Sequence, residues 1–139
     1  MRLTIISTPI GFLGSGKGGG VELTLNSLVS GLLKQNHFIN VIAPSNSKLS
    51  ESCSSAKLFT VEGDEPNSWQ HQDYHTKIKL SESSIVNVML EKALSLKKDC
   101  DAIINLSYDW LPIFKTLDIN IPILHLISMG DESLEISNV

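Results

Sequence analysis

The chain has 139 residues, 42% of them hydrophobic, which suits one domain with a packed core. Its net charge of −4 excludes the basic stripe that a nucleic-acid surface needs. No run reaches the roughly 18 apolar residues of a membrane span, and the short N-terminal apolar run is broken by Pro9 and Gly11, unlike a signal peptide. Two cysteines, Cys53 and Cys100, stand far apart without C-x-x-C spacing, as free thiols in a reducing cytoplasm do.

Residues 2–8 predict a buried strand, with Leu3, Ile5 and Ile6 as its apolar members and Pro9 ending the pairing. A glycine loop follows over 9–20. Of the chain's nine glycines, Gly14, Gly16, Gly18, Gly19 and Gly20 fall within the segment 14–22. Such a loop brings backbone close to a bulky anion, and the helix start behind it aims free N–H groups and a positive dipole end at the same place. Lys17 is the loop's one charge, either a phosphate contact or a solvated lysine. The first helix runs from about 20 to 35, with Val21, Leu25, Leu28 and Leu32 at helical spacing and Val29 and Leu33 widening the stripe. Glu22 in its first turn either complements the dipole or meets a ligand. Gly31 inside this helix costs about 1 kcal/mol against Ala; a close approach of helix to sheet would explain it.

Residues 38–43 predict a second strand. The Ser-, Asn- and Lys-rich loop after it lies where ligands bind in a doubly wound sheet. A third strand falls over 58–62, and Gly63 to Asn67 break structure. Trp69, His71, Asp73, Tyr74 and His75 then cluster, as a polar loop with aromatic anchors or as an acceptor-binding loop. No complete ligand set stands at familiar spacing, so no metal is expected. A second helix spans about 82–98, capped by Ser81 or Ser83, with Ile85, Met89, Ala93 and Leu96 on one face and Lys97 and Lys98 at its negative end. Residues 101–106 predict the next strand. Tyr108, Asp109 and Trp110 follow at its carboxyl end. Asp109 is the more exposed candidate for a ligand contact, or else a helix N-cap; Trp110 either stacks on a flat ring or packs a short helix over 110–117. The last strand covers 122–127, with His125 inside it and Ser128 just past it. Another helix begins at Asp131. The pattern as a whole predicts a Rossmann-like three-layer α/β/α domain with about five parallel strands.

Three glycine loops compete for the segment 11–22. Gly14-x-Gly16-x-x-Gly19 fits a dinucleotide fingerprint, but no acidic residue closes the second strand to hold a ribose. Gly11-x-x-x-x-Gly16-Lys17 fits most of a P-loop, but Gly18 stands where Ser or Thr must bind magnesium. The third is carried by Gly19-Gly20-Val21-Glu22 and by Asn36-His37-Phe38-Ile39-Asn40-Val41. It resembles the opening of family-4 glycosyltransferases, two-domain GT-B enzymes in which a G-G-V/I-E/Q turn starts the first helix and a G-H-x-V-x-V-type strand follows. Asn36 replaces the usual Gly, and Asn is the next-best residue for a left-handed helix end. The string from Ser7 to Leu25, the run Asn105-Leu106-Ser107-Tyr108-Asp109-Trp110-Leu111-Pro112 and the ending Ser128-Met129-Gly130 look closer still to the pterin glucosyltransferases within that family. The resemblance covers most of the chain in patches and omits roughly 45–80.

The resemblance implies one Rossmann-like domain over 1–139, the N-terminal, acceptor-side half of a retaining glycosyltransferase that moves glucose from UDP-glucose to a small acceptor such as a pterin. Gly16, Lys17, Gly18, Gly19 and Gly20 would face the donor's phosphates. Glu22, Tyr108, Asp109, His125 and Ser128 would face the acceptor. Ser128 falls where the family's strand-ending histidine would stand. Ser cannot carry that residue's positive charge. In the family the second domain grips the nucleotide-sugar, through a basic pair and an E-x7-E motif, and neither follows residue 130 here. The expectation is therefore a cytoplasmic acceptor half with no cofactor, inactive alone and open to self-association through the interdomain face. A stand-alone ligand-binding or interaction module is the other reading.

Overall fold

Short apolar runs pair with one another in parallel, and the central ones bury both faces, which is why their sequences are apolar without alternation. The computed structural model describes residues 1–65, 81–107 and 109–127. Strands β1 (Arg2–Ile6), β2 (Phe38–Pro44), β3 (Lys57–Val61), β4 (Ala102–Asn105) and β5 (Ile123–His125) form a single sheet in the order β3-β2-β1-β4-β5. Every neighbouring pair is parallel, with Ile5 opposite both Val41 and Ile104 and Asn105 opposite His125. Strand order reverses between β1 and β4, which makes this the sheet's topological switch point.

Helix α1 (Gly19–Lys34) covers one face, burying Leu25 and Val29 against Leu3, Ile5, Val41 and Leu106. Helices α2 (Ile85–Ser95) and α3 (Trp110–Lys115) cover the other, where Met89, Ala93 and Leu111 meet Ile6, Ile42 and Ile103. This is a Rossmann-like three-layer α/β/α domain. No helix among the described residues is long and apolar enough to cross a membrane. Both cysteines are free and buried.

The end of α1 follows from Asn36. Its φ is +61°, its N–H donates to Leu33 O, and His37 N–H reaches back to Leu32 O. Those two bonds make a Schellman motif with Asn in the glycine place.

Three expectations change. Helix α2 is shorter than 82–98 at both ends, and its cap is Ser84, whose hydroxyl accepts from Asn87 N, rather than Ser81 or Ser83. The cause is non-local: Asp64 N donates to Ser83 O at 2.7 Å and Ile85 N donates to Asp64 O at 2.9 Å, so Ser84 is held in a parallel bridge beside the exit of β3. Lys97 and Lys98 fall in a 3-10 turn beyond the helix. At Gly31 an added Cβ meets nothing within 4 Å, so no close helix–sheet approach explains it. Asp109 is not an exposed side chain, being only 9% accessible. The cluster Trp69 to His75, Tyr108, Ser128 and the helix start at Asp131 lie outside the described residues.

Candidate ligand site

The glycine loop is built by its own hydrogen bonds. Gly11 has φ +66°, and a Cβ there would lie 2.8 Å from both Lys17 Cβ and Ser15 Oγ, so the two arms of the loop close only over a glycine. Ser15 N donates to Phe12 O, Lys17 N to Ser15 Oγ and Gly19 N to Gly16 O. Leu13 turns inward and is buried in the core. Its N–H donates to Ser47 Oγ at 2.9 Å and its carbonyl accepts from Lys48 N at 3.0 Å, which ties the loop to the segment after β2.

Glu22 reaches back from the first turn of α1. Its Oε1 accepts from Gly14 N at 2.5 Å. Its Oε2 is buried without a partner among the described residues. A carboxylate at a helix N-terminus is favoured by the dipole, and here it also occupies one of the loop's donors. Of the residues expected to face phosphate, Gly16, Gly18, Gly19 and Gly20 lie in the loop and at the helix start, and Lys17 is exposed at the loop's edge.

A cleft of about 400 Å³ opens at the carboxyl ends of β1, β2 and β3. Pro9, Gly11, Phe12 and Lys17 form its loop side; Pro44, Ser45 and Asn46 form the end of β2; Val61, Glu62, Gly63 and Glu65 form the end of β3, with Ile85 behind. Ser45 N and Oγ both donate to Val61 O, which closes the floor between the two strand ends. Of these, Gly11 and Lys17 belong to the glycine motifs and Ser45 and Asn46 to the loop expected at a ligand, whereas Glu62 and Glu65 fall in no motif. The available signal was positional: each follows the carboxyl end of a strand that the sheet order makes adjacent.

The second group of candidates lies across the switch point. His125 on β5 sits among neighbours that engage both ring nitrogens. Thr116 Oγ1 donates to Pro112 O at 2.9 Å and pairs with His125 Nε2 at 2.8 Å, while Asn105 Nδ2 pairs with His125 Nδ1 at 3.1 Å. An amide NH2 only donates, so Nδ1 is the acceptor and the proton is on Nε2. Asn105 Oδ1 cannot replace it, because it already accepts from Ser107 N and Ser107 Oγ. Burial pushes the imidazole below its ordinary pKa. Asp109 caps α3, its Oδ1 accepting from Leu111 N at 2.8 Å. Burial raises its pKa, and that hydrogen bond opposes the rise. Trp110 packs on the second core cluster, edge-on to Phe114 with ring centroids 5.9 Å apart. The structure thus separates the candidates. Lys17 lines the cleft and Glu22 braces its loop, whereas Asp109 and His125 belong to the β4–β5 side.

Among the described residues, no three His, Cys, Asp or Glu side chains are grouped to hold a metal ion. No protein-family model and no curated protein matches the chain.

Proposed function

We propose that this chain is the acceptor-binding side of a glycosyl-transfer system, holding a small ring compound, with a pterin as the leading candidate, for attack on a nucleotide-sugar gripped by a second domain. The observation that carries the reading is the cleft beneath the glycine loop at the carboxyl ends of β1–β3. Its volume of about 400 Å³ lies within the range of small-molecule sites. It lies at the carboxyl ends of the strands, the edge on which open parallel sheets bind ligands, beside the switch point between β1 and β4. The motifs from Ser7 to Leu25 and from Asn105 to Pro112 add the family resemblance.

In this reading the cleft orients the acceptor hydroxyl, which converts a bimolecular encounter into an aligned one. The N-terminus of α1 and Lys17 lie across from the donor and stabilise negative charge as the nucleoside diphosphate departs. A reading as a ligand-binding module without chemistry is favoured by one observation: Glu22 fills the Gly14 donor that a phosphate would otherwise use. Dinucleotide binding is weaker, because β2 runs out into Pro44-Ser45-Asn46 with no carboxylate for a ribose.

Calorimetric titration of the purified chain tests the proposal, with tetrahydrobiopterin, UDP-glucose and NAD in separate runs. Saturable heat with the pterin alone is the expected result. Binding of NAD sinks the glycosyltransferase reading. A folded protein silent to all three removes the pterin.

A further inference from the structure

Among the described residues, the charged groups lining the cleft are one cation, Lys17, and two carboxylates, Glu62 and Glu65. The carboxylates stand on a rim that the fold holds in place. Gly63 between them backs directly onto the start of α2: a Cβ there would lie 2.7 Å from Ile85 Cα and 2.9 Å from Ser83 O. Asp64 is clamped through both backbone groups to Ser83 and Ile85, and its Oδ2 accepts from Ser83 Oγ at 2.5 Å. The third carboxylate of this stretch is therefore engaged, while Glu62 and Glu65 are left at the cleft.

On the opposite wall, among the described residues, Lys17 is the one charged group that attracts an anion. Pro9 and Pro44 have no N–H. The N–H groups of Gly14, Ser15 and Lys17 are occupied by Glu22, Phe12 and Ser15. Carboxylates accept N–H and O–H groups and repel negative charge.

We propose that Glu62 and Glu65 set the charge class of the ligand. The cleft takes an uncharged or cationic ring compound rich in N–H and O–H donors and turns away its phosphorylated congeners. This deepens the acceptor reading and rests on it for the identity of the occupant.

The first test needs no ligand. Phe12→Cys puts a thiol on the loop side of the cleft; Ser45→Cys puts one on the β2 side and serves if the first disturbs the loop. Cys53 and Cys100 are buried, and their background is measured on the parent chain. Rates of modification by a cationic and an anionic methanethiosulfonate are compared, normalised to the same pair acting on 2-mercaptoethanol. We expect a cation preference of about three- to tenfold at roughly 10 mM salt, the size that one or two exposed charges produce within a Debye length. It should fall towards one at about 1 M salt and in the Glu62→Gln/Glu65→Gln double variant. No preference at either position, or a preference that the double variant leaves intact, overturns the proposal.

The second arm titrates neopterin and its triphosphate. Tighter binding of the neutral compound, with the gap narrowed in the double variant, supports the proposal. Equal or tighter binding of the triphosphate to the parent chain overturns it. If neither pterin binds while the thiols report a cation preference, the acceptor's identity fails and the charge class of the cleft survives.

Discussion

The same substitution at two glycines should change stability in opposite directions. Gly31 lies in the last third of α1, half-buried, where an added Cβ meets nothing within 4 Å. Gly31→Ala then removes backbone freedom from the unfolded chain without adding a clash. The gain should be about 0.4–1 kcal/mol. Unfolding entropy of about 2.1 cal/mol/K per residue turns 1 kcal/mol into a rise of roughly 3 °C in Tm for a chain of this length. At Gly63 the added carbon would press on the backbone of Ile85 and Ser83, which cannot move aside as a flexible side chain would. Gly63→Ala should cost about 1–3 kcal/mol. Urea denaturation measures both, with the midpoint moving up for one variant and down for the other at constant m. A neutral or destabilising Gly31→Ala would mean that α1 has a close neighbour at that position. A harmless Gly63→Ala would mean that the clamp between β3 and α2 is loose, and would remove the structural basis of the acidic rim.

Thr4 is fully buried, and its hydroxyl has no partner among the described residues; Thr4→Val keeps the shape, removes an orphaned polar group and should raise stability by about 1 kcal/mol, read as a higher urea midpoint. A loss would show that the hydroxyl is hydrogen-bonded. Asn36→Gly relieves a left-handed residue and should stabilise by up to about 1 kcal/mol, read as a rise in Tm with unchanged far-ultraviolet dichroism. His125 gives a pH dependence whose sign follows from its lowered folded-state pKa. Above the ordinary value of 6.5 neither state holds the extra proton and its stabilisation is complete; as pH falls below 6.5 the unfolded chain binds a proton that the folded chain refuses, and stability is lost until pH passes the folded value. His125→Gln should cost about 1–3 kcal/mol at pH 7 through its broken hydrogen bonds, and should remove its share of the acid slope. A slope identical in parent and variant would refute this account of the network.

Local signals carried the architecture because each was self-contained. The apolar runs, the glycine loop and the Asn36 helix end are decided within a few residues, so α1 starts and stops within a residue of its expected bounds. The start of α2 was not legible in the same way. Ser81, Ser83 and Ser84 can each cap a helix, and the choice falls to Asp64, some 20 residues upstream, through its bonds to Ser83 and Ile85. Asp109 was legible as a cap but not in its burial, which depends on how α3 lies on the sheet. His125 showed only that it stood inside a strand. Its partners come from β4 and from the turn after α3, and nothing local to residue 125 names them. The acidic rim was hidden for a different reason: Glu62 and Glu65 are ordinary surface residues until the order β3-β2-β1 puts them opposite Lys17.

The sheet's carboxyl edge therefore divides by how its polar groups are satisfied. Beyond β4 and β5, Asn105, Ser107, Thr116 and His125 satisfy one another while Asp109 caps a helix, and a ligand contacting the network would have to break bonds that burial makes costly to lose. Beyond β1–β3, Lys17, Glu62 and Glu65 face open space, while the bonds that hold their loops run through other atoms: Leu13 to Ser47, Gly14 to Glu22, Asp64 to Ser83. A binding site needs rigid loops whose outward groups remain available. Only the β1–β3 side meets both conditions among the described residues, and a ligand search belongs there first, even though Asp109 and His125 are the more conspicuous residues in the sequence.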